Sequence, residues 1–121
     1  MQKRVLVVDD DSMNLKRTKM ILEKQYDVIL ASSGEDALNL LRFEKVDLIL
    51  LDIAMPGMDG IETFERLKDS YEEEIPVIFL TASGDEDDVL NAIRLGAVNY
   101  LKKPFYPQDL LQRIAKELDR K

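Results

Sequence analysis

The stretch Val5-Leu6-Val7-Val8-Asp9-Asp10-Asp11 sets the reading of the whole chain: four apolar residues without a polar break, then three carboxylates. A strand with one wet face alternates apolar and polar residues, whereas a strand covered on both faces does not. The run therefore predicts a central strand of a parallel sheet. The same signature returns in Val28-Ile29-Leu30, Leu48-Ile49-Leu50-Leu51, Val77-Ile78-Phe79-Leu80 and, more weakly, Tyr100-Leu101. Between the runs, helical spacing puts Ala37, Leu38 and Leu41 on one face and Ile61, Phe64 and Leu67 on another. The last segment does the same with Leu110, Leu111, Ile114, Ala115 and Leu118. Ser33 with Asp36, Asp59 with Glu62, and Ser83 with Glu86 each pair a helix cap with an acid three residues on. Pro107 suits a first helical turn, and Gly96 suits the C-terminal stop of the fourth helix. Five strand–helix units with short connections predict an α/β fold, a doubly wound parallel sheet of five strands with five helices on its two faces. Spacing alone leaves the strand order open; 2-1-3-4-5 is the expectation.

Composition narrows the chemistry. The 121 residues suit one domain with its own core, and 24 acidic against 17 basic side chains leave a formal charge of −7. The chain has no cysteine and no histidine. Disulfides, zinc–thiolate sites, thiol catalysis and the commonest general base are thereby excluded. Any metal has to be held by oxygen, which points to Mg2+, Ca2+ or Mn2+. A pI near 4.6 argues against broad contact with nucleic acid or anionic lipid. No apolar run approaches the roughly 18 residues of a membrane span, and the start is too short for a signal peptide. The expectation is a soluble, cytoplasmic single domain that binds neither membrane nor nucleic acid directly.

In an open parallel sheet, ligands bind beyond the carboxyl ends of the strands, where the strand order reverses. Asp9, Asp10 and Asp11 follow the first run, Asp52 ends the third, Thr81 follows the fourth and Lys102-Lys103-Pro104 follows the fifth. Each alone has an ordinary reading as turn former, cap or solvated charge. Together they bring acids, a hydroxyl and an ammonium to one edge. Two carboxylates about 4 Å apart repel by roughly 4 kcal/mol at an effective dielectric near 20, which a hard divalent ion relieves. With few carboxylates and water as the remaining ligands, Mg2+ fits better than Ca2+. Acids, Mg2+ and lysine make a cradle for a phosphoryl group, which a carboxylate can accept as an acyl phosphate.

At this point the residues resemble a known family. Val7-Val8-Asp9-Asp10-Asp11, Leu51-Asp52-Ile53-Ala54-Met55-Pro56-Gly57-Met58-Asp59-Gly60, Leu80-Thr81-Ala82, Gly96-Ala97 and Tyr100-Leu101-Lys102-Lys103-Pro104-Phe105 are similar to the receiver domain of two-component response regulators, in order and over essentially residues 1–121. The resemblance implies a flavodoxin-like sheet and a phosphorylation-controlled switch in a phosphorelay, not a turnover enzyme. It implies that Asp52 accepts phosphate from a phosphohistidine on a sensor kinase or histidine phosphotransfer domain. Asp9 and Asp10 match the acid pair that holds Mg2+ with Asp52, and the main-chain carbonyl of Ala54 matches a further ligand. Lys103 matches the family lysine, and Thr81 with Tyr100 matches its switch pair. A cis bond is implied before Pro104. The implied output surface is the fourth helix, fifth strand and fifth helix, facing an effector domain or protein or a second copy in a phosphorylation-dependent homodimer. Ala54 and Ser83 are smaller than the side chains many relatives carry there, which bears on the lifetime of the phosphorylated state. Val98-Asn99 replaces an acidic pair found in many DNA-binding relatives.

Two other classes stay open on the residues. A haloacid-dehalogenase-type phosphatase also uses an aspartyl phosphate and Mg2+ after a first strand, but here no insert covers a substrate and Asp52 would be idle. A flavodoxin-like nucleotide or flavin carrier needs hydroxyls and glycines in its first loop, where this chain offers three carboxylates. Asp85-Glu86-Asp87-Asp88 reads as a helix first turn favoured by the dipole rather than a calcium site. Met55 and Met58 flank a turn and read as packing or interaction residues, not ligands, and Glu72-Glu73-Glu74 reads as a solvated loop.

Overall fold

The computed structural model describes residues 2–70, 74–82 and 86–119, apart from the side chains at positions 86 and 88. Five strands alternate with five helices: β1 (Arg4–Val8), α1 (Ser12–Leu22), β2 (Asp27–Ala31), α2 (Gly34–Leu41), β3 (Leu48–Asp52), α3 (Gly60–Ser70), β4 (Val77–Thr81), α4 (Glu86–Leu95), β5 (Asn99–Lys102) and α5 (Pro107–Asp119). All pairings are parallel and the order is β2-β1-β3-β4-β5. The order reverses at β1, whose Val5 lies level with Val28 on one side and Leu48 on the other.

The pleat divides the core in two. Val5, Val7, Leu48, Leu50, Ile78 and Leu80 pack with Leu15 and Leu22 of α1 and with Leu110 and Ile114 of α5. Their alternates Leu6, Val8, Ile49, Leu51, Val77 and Phe79 pack with Ala37 of α2, Phe64 and Leu67 of α3, and Val89 and Ala92 of α4. Each large apolar side chain buried in this way contributes roughly 1.5–3 kcal/mol. Unbroken apolar runs are thus what a sheet with helices on both faces requires.

Two expectations from the spacing need correction. Val28, Ile29 and Leu30 form an edge strand and are only half-buried, because among the described residues no strand lies beyond β2. Ala115 is exposed, and the inward position of the last turn of α5 is taken by Glu117, which accepts a hydrogen bond from Asn99 Nδ2 at 3.3 Å.

The helix starts form as read. The Ser33 side chain accepts from Asp36 N at 3.0 Å and that of Asp59 from Glu62 N at 2.9 Å. Pro107 opens α5. The cap expected at Ser83 lies outside the described residues. Gly96, at φ +111°, closes α4 with its N–H on the Ile93 carbonyl while Ala97 N–H reaches the Ala92 carbonyl. That pattern needs a left-handed residue after the helix, which glycine adopts without strain. The Lys103–Pro104 bond is cis, as the resemblance implied.

Candidate functional site

The carboxyl ends of β1, β3, β4 and β5 deliver one polar side chain each to a common edge. Asp9 follows β1 and is 2% exposed; Asp52 is the last residue of β3 and is 4% exposed. Asp10, next to Asp9, is exposed. A carboxylate oxygen from each of the three lies within 4.8 Å of the others, so the cluster is able to hold a metal ion. Asp11, grouped with them by sequence, serves instead as the cap of α1, its side chain accepting from Met13 N at 2.9 Å.

Lys103 comes just after β5. Its Nζ donates to Asp9 Oδ2 at 3.0 Å and to Asp52 Oδ1 at 3.1 Å. Lys102, the last residue of β5, is exposed, so of the two adjacent lysines it is Lys103 that meets the acids. The other oxygen of Asp9 accepts from Asp11 N at 3.0 Å. Three carboxylates then face one ammonium, leaving two formal negative charges uncompensated, the charge of one divalent ion. The donor set is all oxygen, as Mg2+ requires.

Burial pushes the Asp52 carboxyl up to about 6; Lys103 works against that rise, and the charges of Asp9 and Asp10 add to it. Burial acts to lower the Lys103 ammonium, but its bonds to Asp9 and Asp52 outweigh this and hold it above its ordinary value.

A glycine lets the loop after Asp52 close. Gly60 N donates to Ile53 O at 2.9 Å, and a Cβ at residue 60 would stand 2.3 Å from the Asp52 carbonyl oxygen. Ala54 sits exposed in that loop, two residues past Asp52.

Thr81, the last residue of β4, is buried, and its hydroxyl donates to the Ala82 carbonyl at 3.1 Å rather than to the acids. Tyr100 on β5 is 42% exposed. Both border a cavity of about 290 Å³ walled by Val89, Leu90 and Ile93 of α4. The structure therefore joins Lys103 to Asp9 and Asp52, gathers Asp10 into the same acid cluster, and sets Thr81 and Tyr100 on a neighbouring hollow. A residue that sequence reasoning missed is Arg17, which donates to the Phe105 carbonyl at 3.2 Å and lies 5.5 Å from that ring's centre, in a second 290 Å³ hollow reaching Asp9 and Lys103. Nothing in its sequence neighbourhood marks it, since an arginine on a helix ordinarily reads as a solvated charge. A larger hollow, about 840 Å³ between α2 and α3, is lined by Leu38, Arg42, Val46 and Arg66 and contains none of Asp9, Asp10 and Asp52. Chemistry rather than size singles out the acid edge.

Comparison with known proteins agrees with this geometry. The family described as response regulator receiver domain matches residues 5–115. The chain belongs to the response regulator receiver family. It is 41% identical over 115 residues to the alkaline phosphatase synthesis transcriptional regulatory protein PhoP of Bacillus subtilis (strain 168), covering 94% of this chain and 48% of that protein. It is 40% identical to the transcriptional regulatory protein CrdR of Helicobacter pylori over 94% of this chain and 54% of the relative. The receiver domain thus spans about half the length of these relatives. Among solved structures, a CheY-like receiver domain protein from Methanospirillum hungatei superposes with a TM-score of 0.91 at 34% identity, covering 98% of this chain and 95% of that one. The family supports phosphorylation-dependent signalling, in which receiver domains act as phosphoacceptors rather than as enzymes on a free metabolite. The phosphatase and nucleotide-carrier readings give way to it. Among the described residues no helix is long and apolar enough to cross a membrane.

Proposed function

We propose that residues 1–121 act as one switch unit in which Asp52 accepts a phosphoryl group from a phosphohistidine of a sensor kinase or histidine phosphotransfer domain. The observation that carries this is the placing of Asp52 at the end of a buried central strand, 3.1 Å from the Lys103 ammonium and beside Asp9 and Asp10. An Asp52 oxygen attacks phosphorus, the phosphorus–nitrogen bond breaks, and the electron pair leaves with the imidazole. With its carboxyl held near 6, Asp52 is mostly ionised at neutral pH and is available as a nucleophile.

Asp9, Asp10 and Asp52, with the main-chain carbonyl of Ala54, are the ligands proposed for Mg2+, which when bound neutralises charge on the phosphoryl oxygens. Lys103 supplies the second positive charge. The Thr81 hydroxyl exchanges the Ala82 carbonyl for a phosphoryl oxygen, and the Tyr100 ring turns from the surface into the cavity beside α4. The surface of α4, β5 and α5 then reads out the state to an effector domain or protein, or to a second copy in a phosphorylation-dependent homodimer. Ala54, small and exposed two residues past Asp52, is the position proposed to bear on the lifetime of the phosphorylated state. The cytoplasm, where kinase and ATP reside, is the proposed location.

The test is intact-mass measurement after incubation with acetyl phosphate and Mg2+. The wild-type chain should gain one phosphoryl group and Asp52→Asn none. Full phosphorylation of Asp52→Asn would overturn the assignment.

A further inference from the structure

We propose that Lys68 of α3 is a latch that holds α4 in the resting arrangement, making it a positioning residue for the switch at Asp52. The inference rests on the phosphoacceptor reading above and adds a regulatory residue to it. Lys68 Nζ donates to the carbonyl of Leu95, the last residue of α4, and lies 5.6 Å from the centre of the Phe64 ring. The Leu95 carbonyl is an orphan acceptor at a helix end, where partial negative charge gathers, so an ammonium there gains from both hydrogen bond and dipole. Gly96 follows at once, and a Cβ there would stand 2.7 Å from Nζ, a contact the flexible lysine tip could relieve only by moving aside.

α4 is otherwise thinly held. Among its described side chains only Val89 and Ala92 are buried, while Leu90 is 54% and Ile93 47% exposed. The same helix walls the cavity shared by Thr81 and Tyr100. Its anchor on α3 continues inward, for Phe64 meets the Phe79 ring edge-on at 5.4 Å, and Phe79 lies two residues before Thr81 on β4. When the Thr81 hydroxyl is drawn toward a phosphoryl group and the Tyr100 ring turns inward, the cavity that α4 walls with them changes shape and the helix shifts. The latch is made in the resting arrangement and lost in the shifted one, so it opposes switching.

Beryllofluoride with Mg2+ is the probe, its affinity measured by titration calorimetry, with amide exchange of α4 followed alongside. Lys68→Met keeps the aliphatic stem but removes the donor. It should bind beryllofluoride about threefold to tenfold more tightly, the range an ordinary net hydrogen bond can shift an equilibrium. Lys68→Arg, which keeps a charged donor, should stay near the wild-type affinity. Lys68→Ala serves as a second variant with the same expected direction should Lys68→Met fail to fold. Unchanged or weaker affinity, even with faster exchange in α4, would overturn the latch and leave Lys68 as a helix cap. Absence of beryllofluoride binding by the wild-type chain would instead bring down the phosphoacceptor reading itself, and the latch with it.

Discussion

Asp52 sits under two opposing demands: it is buried where charge is costly, yet the nucleophilic role proposed for it needs the charged form. Its carboxyl, ordinarily near 3.8, is held at about 6 in the fold, so the folded chain keeps this proton to higher pH than the unfolded chain. Without metal, folding is therefore most favoured by this group below about pH 4. That contribution is lost as pH rises through the window up to about 6, and is level above it. The loss could reach about 3 kcal/mol, at roughly 1.4 kcal/mol for each tenfold difference in proton affinity between the folded and unfolded chain. Lys103 behaves oppositely. Its raised ammonium stabilises the fold at all lower pH and loses that effect only as pH climbs past its elevated value. Urea melts in chelator at pH 4, 5, 6 and 7 should show the wild-type midpoint falling with a slope that Asp52→Asn largely removes. Parallel slopes in the two proteins would exclude Asp52 as the source.

At the level of the elements, the end of β3 and the start of α3 are built against each other through Gly60. Gly60→Ala would drive a Cβ into the Asp52 and Ile53 main chain, 2.3 Å from the Asp52 oxygen and 2.8 Å from Ile53 Cα. Backbone cannot yield as a side-chain tip can, and overpacking of this kind costs roughly 1–3 kcal/mol. Gly57 has φ +74° but open space around it, so Gly57→Ala should cost only about 1–2 kcal/mol of backbone strain and leave the Asp52 carboxylate in place. Denaturation midpoints should rank the two, and phosphorylation by acetyl phosphate should slow only in Gly60→Ala. The same elements show what a sequence can and cannot display. β1, β3 and β4 were legible because burial on both faces forbids polar residues. β2 looks identical in composition yet lies at the edge, a fact of strand order that no local pattern encodes. Glu117 reads as a solvated charge and is buried, because its partner Asn99 is 18 residues away on β5. Asp9, Asp10, Asp52 and Thr81 could be read from their places after apolar runs. Choosing Lys103 over Lys102 required the family resemblance, since the turn that separates them is invisible in the letters.

Across the whole molecule, the Mg2+ site proposed at the acid edge would link stability to metal. Mg2+ that binds only the folded chain should stabilise it by roughly 2.7 kcal/mol at 100 times its dissociation constant. Asp10→Ala should blunt that gain and should raise metal-free stability by up to about 1 kcal/mol, the scale of a solvated charge pair. Melting curves of both proteins with Mg2+ and with chelator decide it, and an equal shift in the two would remove Asp10 from the metal site. The bond from Lys103 to Asp9 spans 94 positions of sequence. A chain that stops between β3 and β5 has all three acids without the ammonium that faces them. Under the phosphoacceptor role proposed for Asp52, such a fragment should take up no phosphoryl group from acetyl phosphate, for want of the second positive charge.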